Sequence, residues 1–399
     1  MNQATADFVR CNADADVRQL ALRGTKNPEV DLPFAFDQIA GRQTARHKLP
    51  SWAVIDGIVY PPHLSMEQCS SEQTARYKGK ILTDYIMGGS RFVDLTGGFG
   101  VDFAFIAQAL SPDGYHCTYV ERQEHLCTIA KENFLCLGLS QAEVVCADGV
   151  DYLRAMNPVD IIFLDPARRD GHGGRTYGIS DCTPDVLQLR DLLLQKARYV
   201  LLKLSPMLDW RKAVSDLGKH HVREVHIVSV RNECKELLLL LGQGEGLKLV
   251  CVNDDSIFEL GYNGIDGICQ FVIPCADNFL YEPNASMMKA GCFAEISEHF
   301  GVAPIAQNSH LFTSTSLIND FPGRVFQIKA VTSLNKRELK GHLNGISQAN
   351  ITIRNFPLSV AELRRRLKLN EGGSTYIFAT TLASGDRVLL ICQKMVTLL

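Results

Sequence analysis

The stretch RFVDLTGGFGVDFAFIAQAL, residues 91–110, sets an apolar run against a second run of helical spacing, with Gly97, Gly98 and Gly100 at the join. A strand that ends in Asp94, a glycine loop and a helix form a unit suited to holding a ligand against the main chain. Glycine permits close approach, and a helix start presents N–H groups with no helical partner. Asp94, Gly98 and Gly100 satisfy the pattern D-x-x-x-G-x-G. A P-loop needs a lysine and a Ser or Thr after the glycines, and none follows. A dinucleotide fingerprint needs a third glycine where Phe103 stands, and a ring there obstructs close packing of helix on strand. A tight turn that holds no ligand stays open at this point.

Outward from this loop the chain alternates apolar strands with helix-like segments. Strands are expected at HCTYVE, EVVCA, VDIIFLD, RYVLLKL, EVHIVSV and ELLLLLG, and RQEHLCTIAKENFLCLG is one of the intervening helices. Such alternation predicts an α/β unit over residues 89–275, built on a parallel sheet covered on both faces. Acids end successive strands: Asp94, then Glu121 about twenty residues beyond the loop, then Asp148, then Asp165. Open sheets bind ligands in the crevice at those ends, and a carboxylate at the tip of the second strand can accept both hydroxyls of a ribose. Asp148 and Asp165 would each also serve as a helix cap.

Residues 1–88 read as a helical region, with DVRQLALRG, VDLPFAFDQIAGRQTARHKL and SMEQCSSEQTARYKGKILTDYI as its periodic segments; Gly88 and Gly89 then break the pattern. In the third segment Glu67, Gln68, Ser70, Ser71, Thr74 and Lys78 are polar beyond what packing requires, which suggests either a cap at Ser70 or Ser71 or a wall of the ligand pocket. Residues 276–322 form a small segment in which YEPNASMMKAGCFAEISEHFG reads as a short strand and one helix that starts at Pro283 and Asn284. The last piece, 323–399, alternates RVFQIKAV, NKRELKGHL, ANITIRNF and SVAELRRRLKL, then pairs TYIFATTL with RVLLICQK through the turn ASGD. From 324 to 370, ten basic side chains face only Glu338 and Glu362, a formal charge of about +8 that suits a nucleic-acid backbone.

The whole-chain figures narrow the class. A length of 399 residues implies several domains, and 46% hydrophobic against 21% charged residues excludes disorder. The N-terminus lacks an apolar leader and the longest uncharged apolar run, Leu237 to Leu241, is too short to span a bilayer, so a cytoplasmic protein is expected. The 13 cysteines include no CxxC pair, so no metal site is expected, and Cys117, Cys127, Cys136 and Cys146 read as small hydrophobes.

The series DLTGGFG, Glu121, ADGVDYL and DPARR resembles the motif order of class I S-adenosylmethionine-dependent methyltransferases. With QTARHKLPSW and MEQCSSEQTARYK before the loop, YEPNASMMKAG after the sheet and an arginine-rich terminal unit, the chain is similar to the bacterial methyltransferases that carry a THUMP-like C-terminal domain. The resemblance implies a Rossmann-like α/β core, an N-terminal helical region, a small ferredoxin-like segment and a C-terminal α+β THUMP-like domain. It implies S-adenosylmethionine as cofactor, with Asp94, Thr96, Gly98 and Gly100 at its methionine part, Asp102 a further candidate for its ammonium, Glu121 at the ribose and Asp148 at the adenine amino group. It also implies RNA as partner, through the terminal domain.

The fourth strand ends Asp165-Pro166-Ala167-Arg168, without the aromatic residue of the amine-methylating D-P-P-[YFW] motif. Arginine there can stack on a base or grip a phosphate. The form is closer to the DPPR of RNA pyrimidine C5-methyltransferases, yet VLLKLSPML offers Lys203 and Ser205 where those enzymes need a cysteine. Direct displacement remains, which needs positioning above all. Asp165 is expected to orient the acceptor or take its proton, beside Pro166 and Arg168; Arg168, Arg169 and Arg175, with Arg364, Arg365 and Arg366 of the terminal domain, are expected to meet RNA. The glycine-rich GHGGRTYGISDCTP, with His172, Tyr177 and Asp181, suits a lid. A catalytically silent RNA-binding scaffold, a nicotinamide-dependent oxidoreductase and a methyltransferase for small molecules or proteins stay open as alternatives.

Overall fold

The computed structural model describes residues 1–85, 89–110, 115–168, 178–244, 246–262 and 270–395, without the side chain of Arg168. The chain forms two compact units, Met1–Arg223 with Leu238–Glu245, and Glu224–Leu237 with Gly246–Leu399.

Six helices open the first unit: α1 (Gln3–Cys11), α2 (Val17–Arg23), α3 (Leu32–Lys48), α4 (Pro50–Ala53), α5 (His63–Gln68) and α6 (Glu72–Thr83). Asn2, Asp16, Asp31 and Ser71 cap four of them by accepting main-chain N–H groups of the first turn. The periodic segments locate α2, α3 and α6 and omit α1. The segment read as continuous from Ser65 is two helices, because Ser71 accepts the Thr74 N–H and so starts α6 afresh.

There follow β1 (Arg91–Asp94), α7 (Val101–Leu110), β2 (His116–Glu121), α8 (Glu124–Cys136), β3 (Glu143–Cys146), α9 (Gly149–Ala155), β4 (Val159–Leu164), β5 (Ala167–Arg168), β6 (Cys182–Thr183), α10 (Val186–Lys196), β7 (Ala197–Leu204) and α11 (Trp210–Leu217). Further on come β8 (Val222–Val230), β9 (Glu233–Gly242), β10 (Leu247–Asn253) and β11 (Ser256–Tyr262). The sheet of the first unit runs β9-β7-β4-β1-β2-β3, with β1 parallel to both β2 and β4, β2 to β3, and β4 to β7. After β3 the chain returns to the far side of β1, and this reversal opens a crevice at the carboxyl ends of β1 and β4. Phe103, where a dinucleotide fold would place glycine, is fully buried and packs its ring 5.7 Å from Phe92 and 4.8 Å from Phe134. The ring thus occupies core space between α7, β1 and α8.

In the second unit β8 turns into β9 through Arg231 and Asn232, both left-handed at φ 51° and 61°, as a two-residue hairpin demands. Strand β10 lies parallel to β8 and pairs antiparallel with β11. The sequence reading omits β10 and β11, whose Asp254-Asp255 turn lacks the glycine that marks most hairpins.

The remaining elements are β12 (Phe279–Pro283), α12 (Ala285–Ala290), α13 (Phe293–Phe300), β13 (Ala303–Pro304), β14 (Phe312–Ser314), β15 (Gly323–Thr332), α14 (Lys336–His342), β16 (Asn350–Arg354), α15 (Val360–Leu367), β17 (Thr375–Thr381) and β18 (Arg387–Lys394). They share one seven-stranded sheet in the order β13-β14-β12-β15-β18-β17-β16. The single helix expected after β12 is two, since Gly291 leaves the helix in the left-handed region at φ 67°; its start at Asn284 is as expected, with Met287 N–H donating to the Asn284 side chain. The predicted order of elements from 324 onward, including the closing hairpin of β17 and β18, is the observed one. The architecture is thus the expected one: a Rossmann-like α/β sheet behind N-terminal helices, then ferredoxin-like and THUMP-like parts built on a second sheet.

The charge of that second sheet is less open than the window count suggests. Glu282, buried and outside the counted window, accepts Arg324 Nε at 2.6 Å and Arg354 Nη2 at 2.8 Å. Two of the ten basic groups are therefore structural. On α15, Leu363 and Leu367 face the core, Arg364 is half-buried and donates to the Ala349 carbonyl at 3.1 Å, and Arg365 and Arg366 point to solvent. Among the described residues, no helix is long and apolar enough to cross a membrane, and no cluster of three or more His, Cys, Asp or Glu side chains could hold a metal.

Candidate active site

The glycine loop is anchored on both neighbours of β1. Leu95 N–H donates to Phe163 O at 3.1 Å and Gly97 N–H to Val120 O at 2.9 Å, which continues the ladders past Asp94. The ring of Tyr119 fills the space behind the loop, its hydroxyl donating to Gly98 O. A Cβ on Gly97 would stand 2.2 Å from that ring, so this glycine serves packing. Gly98 and Gly100, at φ 55° and 85°, adopt a backbone that side chains disfavour, and they turn the chain into α7. Phe99 between them is held by Trp52 of α4, edge to face at 5.3 Å.

At the tip of β2, Glu121 is 8% exposed and each of its oxygens takes one main-chain N–H, Oε2 from Gly98 at 2.9 Å and Oε1 from Gln123 at 2.9 Å. A carboxylate oxygen accepts more than one hydrogen bond, so each keeps capacity for one hydroxyl. A fixed carboxylate with acceptor capacity left on both oxygens matches the vicinal hydroxyls of a ribose. The donor set therefore fits a nucleoside cofactor on the structure's own terms. Asp148 caps α9, with Oδ1 accepting Val150 N–H at 2.9 Å and Asp151 N–H at 3.2 Å; its side chain is exposed.

Asp94 lies beneath the loop, 1% exposed, with Oδ1 accepting Thr96 N–H at 2.8 Å. Burial pushes its carboxyl well above the ordinary carboxylate range; the Thr96 N–H opposes this, and the negative charges of Asp102 and Asp165 add to it. Thr96 links two strand tips, because its hydroxyl contacts Asp94 Oδ1 at 3.3 Å and accepts the Asp165 N–H at 2.7 Å.

Asp102, in the first turn of α7 and a candidate for the cofactor ammonium, is engaged by three groups of the protein. Its Oδ1 stands 3.1 Å from Lys78 Nζ and its Oδ2 3.4 Å from Lys203 Nζ, and Ser70 Oγ donates to Oδ2 at 2.7 Å. Burial favours its neutral form, yet the two ammoniums and the serine outweigh that and hold its pKa below the ordinary value. Lys78, from α6, is fully buried. The polar segment before the sheet thus divides its duties: Ser71 caps α6, whereas Ser70 and Lys78 turn to Asp102.

Lys203 also reaches Asp165 Oδ2, at 2.6 Å. The Asp165 side chain is 37% exposed, Pro166 is buried beside it, and Ala167 leads into the two-residue strand β5, paired antiparallel with β6. The side chain of Arg168 and all of Arg169, His172, Arg175 and Tyr177 lie outside the described residues. Sequence reasoning marked Lys78 within a polar segment suited to a pocket wall but missed the pairing of Lys78 and Lys203 with Asp102. A lysine inside the apolar strand VLLKL and another on the inner face of an amphipathic helix were the available signals, because an unpaired charge in either place would be costly.

The family described as protein-L-isoaspartate(D-aspartate) O-methyltransferase matches residues 63–170, a ferredoxin-like domain family matches 279–322, and the THUMP domain-like family matches 323–394. A protein of Porphyromonas gingivalis W83 assigned as a methyltransferase, known by its crystal structure, aligns over 98% of this chain and 98% of its own at 32% sequence identity, with a TM-score of 0.84. A Listeria monocytogenes protein assigned as a class I S-adenosylmethionine-dependent methyltransferase covers 63% of this chain and 94% of its own at 12% identity and a TM-score of 0.41. No curated protein matches the sequence.

Proposed function

Because the chain belongs to the class I S-adenosylmethionine-dependent methyltransferases with ferredoxin-like and THUMP-like C-terminal domains, we propose that it methylates RNA, tRNA or rRNA, by direct transfer from S-adenosylmethionine. The observation that carries the cofactor assignment is Glu121, held by two main-chain N–H groups with one acceptor position left on each oxygen. In this reading Asp94, Thr96, Gly98 and Gly100 bound the methionine part, Glu121 takes the ribose and the free oxygen of Asp148 takes the adenine amino group. The cofactor supplies an electrophilic methyl group.

Asp165 and Pro166 then form the acceptor side, where the carboxylate orients the incoming nucleophile and Lys203 fixes the carboxylate. Arg168, with Arg169 and Arg175, grips flanking phosphates. We place this chemistry in residues 89–275, with residues 1–88 supplying Ser70 and Lys78 to its support, 276–322 as a linker domain and 323–399 as the RNA-binding domain. Exposed Arg365 and Arg366 of α15, with Lys336, Arg337 and Lys340 of α14, supply the cationic surface. Arg364, half-buried on a main-chain carbonyl, contributes its positive charge more than a direct contact.

Calorimetric titration with S-adenosylmethionine tests the cofactor half. Wild type is expected to bind, Glu121→Ala at least tenfold more weakly, and NAD not to bind. Binding of NAD without S-adenosylmethionine would favour the oxidoreductase. Incubation with methyl-labelled cofactor and unmodified RNA tests the second half; bound cofactor with no label in any RNA fraction would favour the silent scaffold.

A further inference from the structure

The charges around Asp165 bear on the chemical identity of the acceptor atom. A nitrogen acceptor becomes more positive as it takes a methyl cation, so it gains from an uncompensated carboxylate nearby. An oxygen acceptor of a hydroxyl must shed its proton and becomes more negative until it does, so it gains from a fixed ammonium together with a proton-accepting carboxylate. Here the ammonium of Lys203 lies 2.6 Å from Asp165 Oδ2. It cannot move away without abandoning Asp102, and Asp102 is itself held by buried Lys78 and by Ser70. Among the described residues no donor reaches Asp165 Oδ1, the oxygen left for substrate. A carboxylate acceptor would be repelled by Asp165 and has no proton to give it.

Resting on the RNA reading above, we infer that the acceptor is a ribose 2′-hydroxyl, the hydroxyl that RNA carries at every internal nucleotide. When bound, the cofactor supplies a methyl group that exchanges its bond to sulfur, whose electron pair stays on sulfur, for a bond to the acceptor oxygen. The hydroxyl proton passes to Asp165 Oδ1 and then to water. Lys203 keeps its proton throughout and acts through Asp165 as a positioning residue, while the Lys78–Asp102 pair keeps Lys203 in place. The missing aromatic residue after Asp165-Pro166 agrees with this, because a ribose needs no ring to stack a base upon.

The experiment uses the full chain, methyl-labelled S-adenosylmethionine and unmodified tRNA and rRNA transcripts, with nucleoside analysis of the products. Label in a 2′-O-methylnucleoside, recovered after alkaline hydrolysis as an uncleaved dinucleotide, is the expected result. Label in a base-methylated nucleoside overturns the inference and leaves the RNA reading standing; no label in RNA overturns both. A binding readout without turnover completes it. With S-adenosylhomocysteine present, an oligonucleotide containing the labelled site is expected to bind at least tenfold more tightly than its single 2′-deoxy counterpart. Lys203→Met should erase that preference and Lys203→Arg retain most of it. Equal binding of the two oligonucleotides by wild type, or an undiminished preference in folded Lys203→Met, would overturn the assignment.

Discussion

Replacing Lys78 with methionine removes a fully buried ammonium and leaves its carboxylate behind. At the observed 3.1 Å from Asp102 Oδ1, and with an effective dielectric of ~20, the lost attraction is about 5 kcal/mol. Lys203, at 3.4 Å, still faces Asp102, and the methionine needs no hydration, so part of this is recovered. Breaking one side of a buried pair typically costs about 3–5 kcal/mol, and we expect the lower half of that range. Both tryptophans of the chain, Trp52 and Trp210, are buried in the first unit, so urea unfolding followed by tryptophan fluorescence reports on the unit that holds the pair. Lys78→Met should lose about 3–4 kcal/mol at pH 8. The double variant Lys78→Met/Asp102→Asn should recover most of it, because a neutral pair of similar shape leaves no orphan charge. A loss below about 1 kcal/mol in the single variant, or a double variant weaker than the single, would refute the view that Asp102 is ionised and held by Lys78.

Three further outcomes are expected. Gly97→Ala places a methyl 2.2 Å from the buried ring of Tyr119 and should cost about 1–3 kcal/mol in the same assay, with weaker cofactor binding; an unchanged midpoint would show that the ring has room to move. The raised pKa of Asp94 means that the folded state keeps a proton that the unfolded state has already released, so this group makes stability fall as pH climbs from the ordinary carboxylate value through the raised one. Asp94→Asn should therefore flatten that fall and be more stable than wild type at pH 8; a less stable variant there contradicts it. Arg365→Glu with Arg366→Glu should weaken RNA binding and lower the slope of log affinity against log salt by about 1.4–1.8, whereas Arg324→Met should lower stability of the second sheet and leave that slope alone. Equal effects on the slope would mean that the Glu282 cluster is part of the RNA surface.

The sequence made the fold legible where one residue type has a narrow physical use. Gly98 and Gly100 need positive φ, and Asp94, Glu121 and Asp165 stand at the carboxyl ends of parallel strands. What stayed hidden depends on partners distant along the chain. Lys203 looks like an isolated lysine, and Lys78 like one of several polar residues before the sheet, until folding brings both to Asp102, 101 residues before the first and 24 after the second. Arg324 and Arg354 look like nucleic-acid contacts until β12 lies beside β15 and Glu282 meets them. Likewise Gly97 reads as a ligand-facing glycine, and only the pairing of β1 with β2 shows that it makes way for Tyr119.

Thr96 joins the tip of β1 to the tip of β4 through one hydroxyl, touching Asp94 on one side and the Asp165 main chain on the other. In-line displacement tolerates little error along its axis, and an offset of about 1 Å can cost a hundredfold in rate. Two loops that position donor and acceptor independently would add their separate errors. On the proposed reading, in which the β1 loop holds the methyl donor and Asp165 the acceptor, this shared hydroxyl gives the two halves one common reference point.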